Sequence, residues 1–220
     1  PPTSTFGAAD QNESGSPITG LNDSHGNPIT TLATVQAASY ASVSGSGNPN
    51  SAASNALSSD FDFAVASALA IAINFDASAY LEAFTAAGEV FPTDAHSSYK
   101  VCFTITDTST GGNTVVNYCP DGSTTVGGFN SFGITSEVDP FSLNGQVSRN
   151  APINGQVLGP GQSPGTYQTG AFSATTTSFT PGDLYHLSAV LQTTADASRF
   201  VPEPASLVLL GTGLFGLGFF

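Results

Sequence analysis

The strongest pattern along the chain lies at 61–75. There Phe61, Phe63, Val65, Leu69, Ile71, Ile73 and Phe75 alternate with Asp62, Ala64, Ala66, Ala68, Ala70, Ala72 and Asn74. A period of two puts the large side chains on one face of an extended chain, whereas on a helix the same positions scatter around the axis. The spacing predicts one long strand with one face in a core. Asp76 then starts a turn into a second strand at about 79–85.

Weaker alternation recurs on both sides. Ala33, Val35, Ala37, Ala41 and Val43 share one side of a strand expected at 29–43, and the Gly-, Ser- and Asn-rich run at 44–59 reads as a flexible linker. Downstream, 99–107 and 114–119 read as two strands flanking the turn-rich 108–113. In a symmetric hairpin centred between Thr110 and Gly111, Cys102 faces Cys119 across the ladder, which predicts a disulfide. Cys119-Pro120-Asp121-Gly122, Asn144-Gly145 and Asn154-Gly155 read as turns, and Gly159-Pro160-Gly161 and Pro181-Gly182 as breaks. Between them, strands are expected at 129–135, 141–149, 167–178 and 184–193. Eight or nine strands with no soluble helix predict an all-β fold, a β-sandwich or jelly-roll-like body.

The last residues break this pattern. Pro202-Glu203-Pro204 leads into an uncharged apolar run from Ala205 to Phe220. The prolines disfavour helix before them, so a C-terminal apolar helix is expected from about Ala205. At 1.5 Å per residue it would be about 24 Å long, short of the roughly 30 Å of a bilayer core. This tail resembles the sorting signal of the PEP-CTERM proteins, which implies an exported bacterial protein at the cell surface, handled by an exosortase and tethered to membrane through the tail. The resemblance also implies a basic cluster next, and the residues end at Phe220 without one. The body at 61–190 is similar to those found in such proteins, with Asp107-x-x-x-Gly111-x-Asn113 and a Pro120-Asp121-Gly122 turn. The expected organisation is therefore a polar segment at 1–28, a strand plus linker at 29–59, the body at 60–200 and the tail at 201–220.

Composition narrows the partners. Three basic residues against sixteen acids give a net charge of −13, and a chain so poor in Lys and Arg builds no phosphate-binding surface, which excludes nucleic acid. Charged residues are only 9 % of the chain, so solubility rests on Ser, Thr, Asn, Gln and Gly. With no Met and no Trp, this profile suits an extracellular β protein, and the expected disulfide points to an oxidising compartment. The chain opens Pro1-Pro2-Thr3 with no charged-then-apolar leader, and a removed signal peptide is the expectation.

Candidate chemistry is sparse. His25, His96 and His186 lie in separate contexts, and His186 is read as a solvated or satisfied strand histidine. No Gly-x-Ser-x-Gly elbow, His-Glu-x-x-His or phosphate loop is present. Asp60 and Asp62 share a strand face, suited to a solvated edge or to a pair of Ca²⁺ ligands. No cofactor is expected beyond that option, and no enzyme activity.

Three functions stand at this point. The first is a structural protein of the surface or matrix that self-assembles into a filament or layer. The second is a carbohydrate-binding module for extracellular polysaccharide, and the third a secreted hydrolase. The first is the leading expectation, because sixteen Phe against six Tyr and no Trp favour core over sugar platform. Partners are then other copies of the chain, polysaccharide, and the exosortase and membrane through the tail. The segment at 29–43 is offered as a strand connector between subunits, with folding back on its own body as the alternative.

Overall fold

The computed structural model describes residues 4–16, 21–22, 28–29, 32–44, 50–86, 93–123, 125–126, 131–151 and 153–199. All regular structure among them is β. The first strands are β1 (Ser4–Ser16), β2 (Leu21–Asn22), β3 (Pro28–Ile29), β4 (Leu32–Ser44), β5 (Asn50–Ala64), β6 (Ala72–Ala79) and β7 (Glu82–Thr85). Then come β8 (Thr93–Asp107), β9 (Asn113–Tyr118), β10 (Ile134–Val138), β11 (Asn144–Asn150), β12 (Gly155–Leu158), β13 (Gln168–Thr176) and β14 (Leu184–Arg199). The apolar helix expected from Ala205 lies outside the described residues.

The largest sheet runs β11-β8-β14-β5, with β9 also pairing β8, and every pairing is antiparallel. Facing it is the sheet β10-β13-β6, and β7 pairs with β12 in a small ribbon. One core joins the layers. Phe63, Val65, Ile105, Val116, Tyr118, Tyr185 and Leu187 come from the large sheet's side, and Ile71, Ile73, Ile134, Ala174 and Phe179 from the facing side. Two smaller clusters extend it, one around Phe141, Leu143 and Phe172, the other around Leu81, Ala83 and Val147. The architecture is a sandwich of antiparallel sheets.

The alternation at 61–75 gives the buried face correctly and the continuity wrongly. Phe63 and Val65 on one side, and Ile71 and Ile73 on the other, are all buried. The segment is not one strand, however. β5 ends at Ala64 and β6 begins at Ala72, and each belongs to a different sheet. Residues 66–70 carry the chain from one layer to the other on the exposed margin of the sandwich, held by an isolated bridge between Leu69 and Phe179. Odd positions face inward on both sides of the connection, but Leu69, expected on the same core face, lies exposed within it.

The expected linker is also corrected. Residues 50–59 are strand, and β5 pairs with β14 from Ser198↔Asn50 to Leu184↔Ala64. Small residues with alternating exposure fit an outer strand as well as a linker, and only the partner β14 decides between them. Asn144-Gly145, expected as a turn, opens β11 opposite Lys100 and Tyr99. The strand expected at 29–43 emerges as β4, paired along its length with β1. This hairpin lies against β5 and β14 of the same chain. The Ser39 hydroxyl meets Thr193 Oγ1 at 2.7 Å. The connector expectation gives way to its alternative, folding back in cis.

Candidate functional surfaces

The β8–β9 hairpin fixes the position of the cysteines. Phe103↔Tyr118, Thr104↔Asn117 and Ile105↔Val116 share one register, and its next step brings Cys102 opposite Cys119. Their Cα atoms are 4.3 Å apart and the sulfurs are bonded. One extra residue, Val115, bulges from β9 before Thr114 meets Thr106. Gly133 packs against this bulge with φ +73°, where a Cβ would stand 2.2 Å from the Val115 carbonyl oxygen, so no other residue fits there. At the turn, Asp107 Oδ1 accepts from the Ser109 and Thr110 amides at 2.8 and 3.2 Å. Its Oδ2 accepts from the Thr110 hydroxyl at 2.7 Å. That hydroxyl bond, then the amides, hold the Asp107 carboxyl below the usual carboxylate range.

Even-numbered residues of β5, β8, β11 and β14 form the outward face of the large sheet, and on β9 the parity reverses. Typical rows are Asp60–Ser188–Thr104, Ser54–Thr194–Ser98–Gln146 and Ala52–Asp196–His96–Ser148. No Phe or Tyr side chain projects from these four strands on that face among the described residues. His186 Nδ1 lies 2.8 Å from Asp62 Oδ1 and Nε2 lies 3.6 Å from Asp60 Oδ1. His96 Nδ1 lies 3.1 Å from Asp196 Oδ2. The Ser188 hydroxyl first, then Ser58 and His186, hold the Asp60 carboxyl low. Each pair joins cross-strand neighbours, and no group of three or more His, Cys, Asp or Glu is placed to hold a metal ion among the described residues. His25 and the sorting residues Pro202, Glu203 and Pro204 lie outside the described residues.

Inside the sandwich, the Tyr118 hydroxyl donates to Asp139 Oδ1 at 2.5 Å, and the Asp121 amide donates to Asp139 Oδ2 at 3.2 Å. Burial raises both groups above their ordinary values, and the shared hydrogen bond raises the tyrosine further. This pair is buried against the aromatic core.

A second polar cluster stands at the surface, where the β6–β13 ladder runs out. Its last pair is Gln168↔Ala79, and the next residues outward, Tyr167 and Tyr80, bring their rings to 5.6 Å between centroids. The Tyr80 hydroxyl donates to Glu82 Oε2 and accepts from the Gly165 amide at 3.2 Å. Gln156 Nε2 donates to Glu82 Oε1 at 2.7 Å, and Arg149 Nη2 donates to the Gln156 carbonyl at 2.8 Å. The bond to Glu82 raises the Tyr80 hydroxyl above its ordinary value. Sequence reading misses this cluster, whose bonds to Tyr80 and Glu82 come from residues 85 and 74 positions away. Its one local trace is Tyr80, Glu82 and Phe84 at alternate positions.

Residues 200–220 match the PEP-CTERM protein-sorting motif. The chain carries that motif, and it is a bacterial exported protein associated with the cell surface. No curated protein matches the chain. Among solved structures, the VP2 subviral particle of infectious bursal disease virus is 10 % identical, with a TM-score of 0.14. That match covers 75 % of this chain, which spans 45 % of the viral one. The Gx strain of the same virus is 8 % identical over 96 % of this chain and 67 % of that one, with a TM-score of 0.11.

Proposed function

We propose that this exported surface protein is a structural subunit without enzyme activity, and that it self-assembles by strand addition. The observation that carries this reading is the pair of outer strands on one side of the sandwich. β5 and β6 are consecutive in sequence and each is the last strand of its sheet among the described residues. Outer strands are normally guarded by Lys, Pro or bulges. From 50 to 79 the sequence has no Lys, Arg, Pro or Gly, and its only charges are Asp60, Asp62 and Asp76. Their main-chain groups suit a strand from a second copy, which supplies hydrogen bonds without any dedicated pocket. A flat polar face beside them, rich in hydroxyls and amides, suits lateral packing with trapped water.

The test is electron microscopy and light scattering of the full chain, alongside a Ser58→Lys, Asn74→Lys double variant. Both positions are exposed on the outward sides of their sheets, so the fold tolerates lysine there. The expected result is filaments or layers from the wild type and dispersed protein from the variant. A wild type that stays monomeric at all concentrations, or a variant that assembles equally well, overturns the reading.

A further inference from the structure

We propose that the surface around Tyr80 and Tyr167 is a binding site for a neutral polysaccharide chain. A pyranose ring offers an apolar C–H face and a rim of hydroxyls, each both donor and acceptor. Its complement is a bare aromatic face beside planar polar groups held in place. Tyr167 is 62 % exposed and Phe84 57 %, high values for aromatic residues. Aromatic side chains with this much exposed apolar surface mark contact sites.

The polar partners are held by one another. Glu82 takes the Tyr80 hydroxyl on one oxygen and the Gln156 amide on the other, and Arg149 holds the Gln156 carbonyl. The Gly165 amide fixes Tyr80 from the far side. Each oxygen of Glu82 keeps a lone pair, and the guanidinium keeps donors, so the cluster presents acceptors and donors together. Ordering cost is low because these groups are already positioned. Tyr80 and Phe84 are four residues apart, about 13 Å along an extended chain. That span fits several sugar rings lying across the surface better than one small ligand.

Charge selects the polymer class. The chain carries −13 with only three basic residues, and such a field repels polyanions. A neutral glycan pays no such penalty, and the outward face of the large sheet, with no Phe or Tyr among the described residues, offers no rival platform of this kind. This inference is independent of self-assembly.

The experiment is affinity electrophoresis of the full chain in native gels cast with β-glucan, galactomannan, xylan or galactan. A gel without polymer and one with alginate serve as references. Retardation is expected in at least one neutral polymer and not in alginate. Tyr167→Ala and Phe84→Ala should each weaken it by about tenfold, as truncation of a central aromatic does. Tyr167→Phe, which keeps the ring, and Leu184→Ala, an exposed apolar residue elsewhere, should leave it unchanged. No retardation in any neutral polymer overturns the proposal. So does retardation in alginate alone, equal retardation of Tyr167→Ala and wild type, or capture of polypeptides with no glycan response.

Discussion

At one end of the large sheet, Phe63, Tyr185, Leu187 and Ile105 face inward; at the other, Ser51, Ala195, Ala197 and Ala95 occupy the same face of the same three strands. The first end stacks rings against the facing sheet, with Phe63–Tyr185 at 5.5 Å and Phe179–Tyr185 at 4.7 Å between centroids. The second is met by β4 of the N-terminal hairpin, where the contact is a hydroxyl pair, Ser39 with Thr193. Large side chains hold two layers about 10 Å apart and fit one another in one arrangement. Small ones give up most of that apolar area and let another backbone come close. Stability should therefore be concentrated at the aromatic end.

The sharpest way to break this contrast is Phe63→Ala. It removes a ring that is almost wholly buried among Phe179, Tyr185 and Phe61, and should cost about 3–5 kcal/mol in denaturant unfolding. A loss under about 1 kcal/mol would remove the distinction between the ends.

Asp139 tests the polar closure of the same core. Burial raises its pKa, so the folded chain holds this proton more tightly than the unfolded one. Its stabilising contribution is then complete below the ordinary aspartate value, near pH 4, and is lost as pH rises through the raised value. Asp139→Asn keeps an acceptor for Tyr118 and should flatten that fall in unfolding midpoints taken from about pH 4 upward. Asp139→Ala strands the Tyr118 hydroxyl and should cost about 1–3 kcal/mol. If the asparagine variant loses stability with rising pH as the wild type does, another group controls the slope.

The smallest effect belongs to the other end. Ser39→Ala deletes one half-buried hydroxyl pair and should cost about 1 kcal/mol. Hydrogen exchange sharpens the comparison, because amides of β4 should lose protection while those of β13 stay unchanged. Equal loss in both would mean that the two ends unfold as one unit.

Much of this was legible in the chain, for local reasons. The period-two runs identified extended structure and the inward face, because side-chain direction in a strand depends only on position parity. The turn around Thr110 and Gly111 located the hairpin, but its own register, Asp107↔Asn113, would bring Cys102 to Tyr118, and the bulge at Val115 shifts it by one residue to Cys119. The tail was legible because a sorting signal is read as linear sequence. Strand ends at Ala64 and Ala72 were not, since a crossing between sheets leaves the alternation intact. Asn144-Gly145 misled in the opposite direction: a pair that often turns the chain can also begin a strand when Lys100 and Tyr99 lie opposite.

By itself, then, the sequence determined an all-β body, its buried parity, its cysteine hairpin and its address, since each depends on residues close together in the chain. Only the tertiary structure decided that 50–59 is strand, that β4 folds onto its own body, and that Tyr80 meets Tyr167 beside Glu82 and Gln156. Those outcomes depend on which distant strand supplies the other half of each contact. Neither residue of such a pair carries a local mark of its partner, because main-chain hydrogen bonds and ring contacts accept many sequences and only the whole sheet order selects one.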